Sequence, residues 1–371
     1  MFFKSQRAEL QLARNSAKDV FKDTGLKPSV LSSQNLSVFG SNLGYACRLI
    51  WQEKEILFFA ALQWLTIAIA YVLWTKMIYW IPDAFWEEVR RSSEDEKEGA
   101  FTLINLVLFA WSFFVITVAS YPLSILNAAM TACHYLRSAG KPSTIASCLN
   151  LAFNNLGRLW VFTTIDAWIT VDAILDRLPR RGQNRTAGDE LLYYAWKIGT
   201  IGVLPALVAG KGYTEAAKDS VSVLRHSPVR AIGIRMGYSL ICWVIGIATY
   251  VGSFYYLSSM GSLKGSSNPL YDLYVTIAAP IILAVGINSV LVRPFYLVMI
   301  SKLYSDVLPL GEDVTVPTAA KKFDRLALIF SIMLSLLLIL YFFGDQLGIR
   351  EWIETLAIED IQAYRQLAPN P

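Results

Sequence analysis

The feature that most constrains this chain is a recurring apolar run about as long as a helix must be to cross a hydrocarbon core of about 30 Å, roughly 20 residues. Ile56 to Ile81, Phe101 to Met130, Ala231 to Leu257, Tyr271 to Lys302 and Leu326 to Phe343 are runs of this kind. They are continuous rather than alternating, which excludes the short two-residue rhythm of a membrane β-barrel. With 54% hydrophobic and 17% charged residues over 371 positions, the chain is too apolar for a string of soluble domains. The expected fold is all-α, a polytopic transmembrane bundle of five to seven spans. Residues 1–42 form a basic, loosely ordered cytoplasmic arm, 43–344 the membrane domain and 345–371 a short polar tail.

The arm carries Lys4, Arg7, Arg14, Lys18, Lys22 and Lys27, which places it on the cytoplasmic side and offers a surface to membrane lipids. Leu43 to Glu55 reads as an interfacial lead-in helix. Trp74, Tyr79 and Trp80 stand at the far end of the first span, where amphipathic rings favour the headgroup level. The loop from Pro82 to Gly99 is acidic and reads as external. Counting every apolar run gives seven crossings, N-terminus inside and C-terminus outside. One loop conflicts with this count: Arg177, Arg180, Arg181 and Arg185 would face outward. Either Leu159 to Ala209 is a shallow hairpin that does not cross, or that loop is an exception.

Ala139-Gly140-Lys141-Pro142-Ser143-Thr144-Ile145-Ala146 and Ala209-Gly210-Lys211-Gly212-Tyr213-Thr214-Glu215-Ala216 share five residues in register, each after an apolar run and before an amphipathic segment. This points to an internal duplication of span, basic turn and cytoplasmic amphipathic helix. In the first copy Ile145, Cys148, Leu149, Ala152, Phe153 and Leu156 recur at helical spacing, with Ser143 or Thr144 as N-cap. In the second, Tyr213, Ala217, Ser220, Val221 and Leu224 are expected on one face, with Glu215, Lys218, Asp219, Ser222 and Arg225 on the other.

The pattern from Pro205 to Arg225, with Glu215, Ala216, Lys218 and Ser220 at its centre, resembles an uncharacterised family of bacterial polytopic membrane proteins. More loosely, it is similar to the membrane domain attached to some glycerophosphodiester phosphodiesterases. The resemblance takes in Gly44 to Glu55, Asn127-Ala128-Ala129 and the segment through Gly246, about half of the chain. It implies a helical membrane fold, a bacterial inner-membrane address and a cytoplasmic motif of Glu215, Lys218, Ser220 and Arg225. No phosphodiesterase domain accompanies it, and it transfers no activity.

Ionisable residues at membrane depth are functional candidates because burying a charge must be compensated. Asp166, Asp172, Lys197, Arg235 and Arg293 qualify, and Asn288 offers amide groups near a break expected at Arg293-Pro294. Asp166 and Asp172 are six residues apart and do not share a helix face, so no paired-carboxylate site is expected. His134 and His226 lack partners at a ligand spacing, and the four cysteines read as buried small residues, so neither a metal site nor a cofactor is expected. The net charge of +4 gives no case for nucleic acid. The expected function is that of a non-enzymatic membrane protein, a scaffold, assembly factor or accessory subunit with a protein partner or a second copy in the membrane. The alternative is a carrier or lipid-handling protein working through Asp166, Asp172 and Arg293.

Overall fold

A computed structural model describes residues 33–82, 84–85, 102–175, 196–259, 280–281, 283–308 and 320–367, and all of its regular structure is helical. The helices are α1 (Ser33–Gln52), α2 (Glu55–Trp80), α3 (Thr102–Ser138), α4 (Ile145–Phe153), α5 (Leu156–Leu175), α6 (Val203–Val208), α7 (Tyr213–His226), α8 (Pro228–Ser259), α9 (Leu283–Leu291), α10 (Arg293–Val307), α11 (Ala320–Phe343) and α12 (Ile349–Leu367). Helix α1 begins ten residues before the expected lead-in, inside the segment expected to be loosely ordered. The rest of the arm and the arginines between 177 and 185 lie outside the described residues.

Among the described residues four helices are long and apolar enough to cross a membrane: α2, α3, α8 and α11. A fifth crossing arises if α9 and α10, bent by 42° at Val292, form one broken span. Seven crossings are therefore too many for the described residues, since neither α5 nor the short apolar helix Trp196–Val208 joins this set. The count falls at the lower end of the expected range.

The chain divides into two compact units. The first comprises residues 1–65, 122–163 and 186–323. In it α1 lies along α8 and α10, and α7 lies against α6, α8 and α10. The seam is filled by Ala46, Leu49 and Ile50 of α1, Leu207 of α6, Leu224 of α7, Ile234 of α8 and Leu297, Val298 and Leu303 of α10. Glycine makes one approach possible. A Cβ at Gly286 of α9 would collide with the indole of Trp64 on α2. At the end of α3 the Cys133 and Cys148 sulfurs are 2.9 Å apart and buried, whereas Cys47 is exposed, so burial is not shared by all four cysteines.

The second unit comprises residues 66–121, 164–185 and 324–371. The C-terminal segment is helical and buries Ile353, Ala357 and Ile361 at helical spacing. Asp360, only 4% exposed, accepts hydrogen bonds from the backbone N–H groups of Ile104 (2.8 Å) and Leu103 (3.4 Å). It thus covers the N-terminus of α3, where orphan donors and the helix dipole favour a carboxylate. Asp345 accepts from the Trp80 indole at 2.8 Å and pairs with Lys76 at 3.3 Å.

Candidate anion site at a broken helix

Pro294 has no backbone N–H, and its ring interferes with a carbonyl one turn upstream, so a helix running into it breaks just before it. Arg293 and Pro294 therefore begin α10 rather than continue α9. Arg293 Nε donates to Asn127 Oδ1 of α3 at 3.0 Å, and Gln63 Nε2 of α2 donates to the same oxygen at 2.6 Å. A guanidinium has only donors. The Asn127 carbonyl must therefore face Arg293, which in turn obliges Gln63 to present its NH2. Its Oε1, on a residue 1% exposed, is left without a hydrogen-bond partner.

One turn before the break, Asn288 Nδ2 donates to the Cys242 carbonyl of α8 at 3.2 Å, and its Oδ1 is also without a partner. Two turns earlier on α8, the Arg235 guanidinium lies 5.5 Å from the Tyr238 ring centroid and 5.7 Å from that of Tyr296 on α10. Those two rings stack at 4.3 Å, and Tyr238 and Cys242 feel both guanidiniums. Two cations, two orphan amide oxygens and a helix N-terminus therefore meet at one break. Arg293 has no ion pair among the described residues.

Of the six residues expected to bind, Arg235, Asn288 and Arg293 come together. Lys197 belongs to the same unit but to none of these hydrogen bonds, and Asp166 belongs to the second unit. Asp172 is on α5, with its side chain outside the described residues. Gln63 and Asn127 were not among the expected site residues: Asn288 was marked by the neighbouring Arg293-Pro294 break, Asn127 entered only through the resemblance, and Gln63, a lone amide between Leu62 and Trp64, had no such marker.

The two Ala-Gly-Lys turns share one geometry. Gly140 and Gly210 have φ of 69° and 94°. Each closes the preceding helix with paired bonds: Gly140 N to Arg137 O and Lys141 N to Leu136 O, then Gly210 N to Leu207 O and Lys211 N to Ala206 O. This is the Schellman closure. The helices that follow are offset. Thr144 caps α4, as expected, whereas the aligned Thr214 lies inside α7, which begins after Gly212.

Within the motif of Glu215, Lys218, Ser220 and Arg225, Glu215 accepts from Gly212 N at 3.2 Å and so caps α7. Ser220 is fully buried, donating to Gly199 O at 2.8 Å and accepting from Gly202 N at 2.9 Å. Lys218 and Arg225 are exposed. The buried stripe runs through Ala216, Ser220, Val223 and Leu224, so the expected face of α7 is corrected: Ala217 is exposed and Asp219 turns inward. Asp219 Oδ2 receives Lys211 Nζ at 2.6 Å and the Tyr304 hydroxyl at 2.7 Å. Neighbouring contacts tie other helix ends together: Glu53 with Arg137 (3.4 Å) and Ser143, Arg230 with Asp306 (3.7 Å), and His134 with Tyr45 (3.1 Å) and Ser305 (3.2 Å). Among the described residues no group of three or more His, Cys, Asp or Glu is placed to hold a metal ion.

The fold and site together define an integral membrane protein of the helical class, with a polar cluster at the break of a bent apolar helix pair. The chain belongs to DUF6159, a family of unknown function whose model matches residues 100–306. The match contains Pro205 to Arg225, Asn127, Arg235, Asn288 and Arg293, but neither Gly44 to Glu55 nor Gln63. It bears out the resemblance to an uncharacterised family; no similarity to glycerophosphodiester phosphodiesterases is shown. No curated protein and no solved structure matches the chain.

Proposed function

We propose that this protein is a non-enzymatic, lipid-handling or carrier-type membrane protein that binds an anionic group at the break between α9 and α10. The observation that carries the reading is the convergence of Arg235 and Arg293 beside Gln63, Asn127 and Asn288. Arg293, which has no ion pair among the described residues, stands in an apolar setting that calls for an anion. The reading departs from the expected alternative in its residues: the arginines take the role, without Asp166 or Asp172. The basic residues at one end of the first unit, Arg137, Lys141, Lys211, Lys218 and Arg225 among them, support a cytoplasmic placement of that end and, with the duplicated turn, a bacterial inner-membrane address.

A scaffold or accessory subunit is the second reading. It is favoured by α11, whose crossing segment is the least buried of the four, with Leu328, Ile332 and Phe342 exposed. One experiment separates the two: mass spectrometry of what co-purifies with the wild type and with Arg293→Gln after gentle extraction. A lipid or anionic solute held by the wild type and lost from the variant supports the binding protein. A stoichiometric protein partner retained by both, with no such ligand, overturns it in favour of the scaffold.

A further inference from the structure

The face of α3 that carries Asn127 continues in polar residues. Thr131 and Tyr135 follow it at four-residue steps, on the same side of the helix, and both are fully buried. Neither Thr131 Oγ1 nor the Tyr135 hydroxyl has a hydrogen-bond partner among the described residues. A hydroxyl inside a helix can turn to the carbonyl four residues back, as Thr117 and Ser120 of α3 do at 2.7 Å each. Thr131 makes no such bond, so its donor and its acceptor are both left to be met from elsewhere.

The two orphan hydroxyls stand between groups that are already engaged, all within the first unit. At one end Asn127 Oδ1 receives Arg293 and Gln63, and Gln63 Oε1 is itself an orphan. At the other, Tyr135 lies within electrostatic reach of Tyr304 and Asp219, whose Oδ2 receives the Tyr304 hydroxyl and the Lys211 ammonium. Four residues of α3 rise about 6 Å. One water, hydrogen-bonded at about 2.8–3.0 Å on each side, spans that distance. The chemistry of the face also selects water. A cation would be repelled by Arg293, and an anion would leave the Gln63 Oε1 acceptor unmet, whereas water both donates and accepts.

We infer that a row of internal water lies along this face of α3, joining Asp219 and Tyr304 to Tyr135, Tyr135 to Thr131, and Thr131 to the amides of Asn127 and Gln63. It brings water from the Lys211 turn to the groups that hold Arg293. Because that fixed charge ends the row, a hydronium entering at Asp219 is repelled before the break, and the row is a hydration path to the site rather than a channel through it. The inference stands on Thr131 and Tyr135 and goes beyond the anion-binding reading, which it does not require.

The full chain, purified in detergent, is exposed to a short X-ray pulse that converts water, internal water included, into hydroxyl radicals, and the oxidised residues are located by mass spectrometry of its peptides. Tyr135 is expected to oxidise at a rate comparable to that of the exposed Tyr213, although its own exposure is 0%. Met130 and Met299 are as deeply buried, belong to the apolar core and carry a readily oxidised thioether, yet should stay at background. Thr131→Cys, close in shape to the wild-type side chain, reports on the inner part of the row, and Val298→Cys in the buried apolar core is its dry reference. The first should be oxidised and the second not.

Oxidation of Tyr135 no greater than background overturns the inference. So does oxidation of both methionines along with it, which would mean that radicals reach the core at large. An oxidised Tyr135 beside an unoxidised Thr131→Cys overturns the path between Tyr135 and Asn127. Should Thr131→Cys fail to fold, the wild-type comparison of Tyr135 with the methionines still decides. Co-purification with Arg293→Gln reads the anion separately, so either reading can fail while the other stands.

Discussion

Ser220 occupies a place where only a small side chain with both a donor and an acceptor fits. Its hydroxyl joins two backbone groups of the turn before α6, while a Cβ at Gly202 would lie 2.9 Å from the Ser220 Cα. Ser220→Ala keeps the fit but leaves the buried Gly202 N–H without an acceptor, which costs about 1–3 kcal/mol. A drop in apparent unfolding temperature in detergent is therefore expected for Ser220→Ala, and little change for the exposed Lys218→Ala; equal effects would show that the hydroxyl matters no more than a surface charge. The motif Glu215, Lys218, Ser220 and Arg225 was readable as a string, but its division of labour was not. Ser220 and Asp219 serve buried partners more than ten residues away in sequence, on segments whose placement no local pattern reports. Arg293 was legible because Pro294 marks a break by its own covalent structure, whereas the amides that receive it were not.

At the scale of elements, the helices themselves were legible, since runs such as α2 and α11 announce their type by length and polarity alone. Their ends were less so. The offset between Thr144 and Thr214 shows why: the same Ala-Gly-Lys turn leads into helices that start at different distances, because Glu215 caps Gly212 whereas Thr144 caps itself into α4. The turns are testable as a pair. Gly140 and Gly210 hold positive φ, so alanine at either pays the left-handed penalty of about 1–2 kcal/mol. Gly44 lies inside α1 with open space at its Cβ, so Gly44→Ala should stabilise by about 0.5–1 kcal/mol. Thermal unfolding of the three variants should order Gly44→Ala above wild type, with Gly140→Ala and Gly210→Ala below it. An unchanged Gly210→Ala would mean that the second turn relaxes out of the Schellman closure.

For the whole molecule the decisive quantity is which parts share a side of the membrane. Counting every apolar run gave seven crossings from sequence, but only by including α5 and Trp196–Val208, runs whose apolar character serves a short helix as well as a span. Helix α2 supplies a firmer reference because it is one unbroken helix of 26 residues, about 39 Å long at 1.5 Å per residue, and so exceeds the hydrocarbon core. Next to its first residue, Glu53 meets Arg137 and Ser143; at its last, Trp80 donates to Asp345 just ahead of α12. A membrane crossed by α2 leaves the contacts at Glu53 on one side and those at Trp80 on the other. Single cysteines placed at exposed Lys141, Lys218 and Glu359, in a chain whose own four cysteines are replaced, convert this into a labelling pattern with an impermeant maleimide on sealed cells. Glu359→Cys should react from outside, and Lys141→Cys and Lys218→Cys only after the membrane is opened. Labelling of all three from one side would mean that α2 does not cross, and the site at Arg293 would then lose the apolar surroundings that make its uncompensated charge informative.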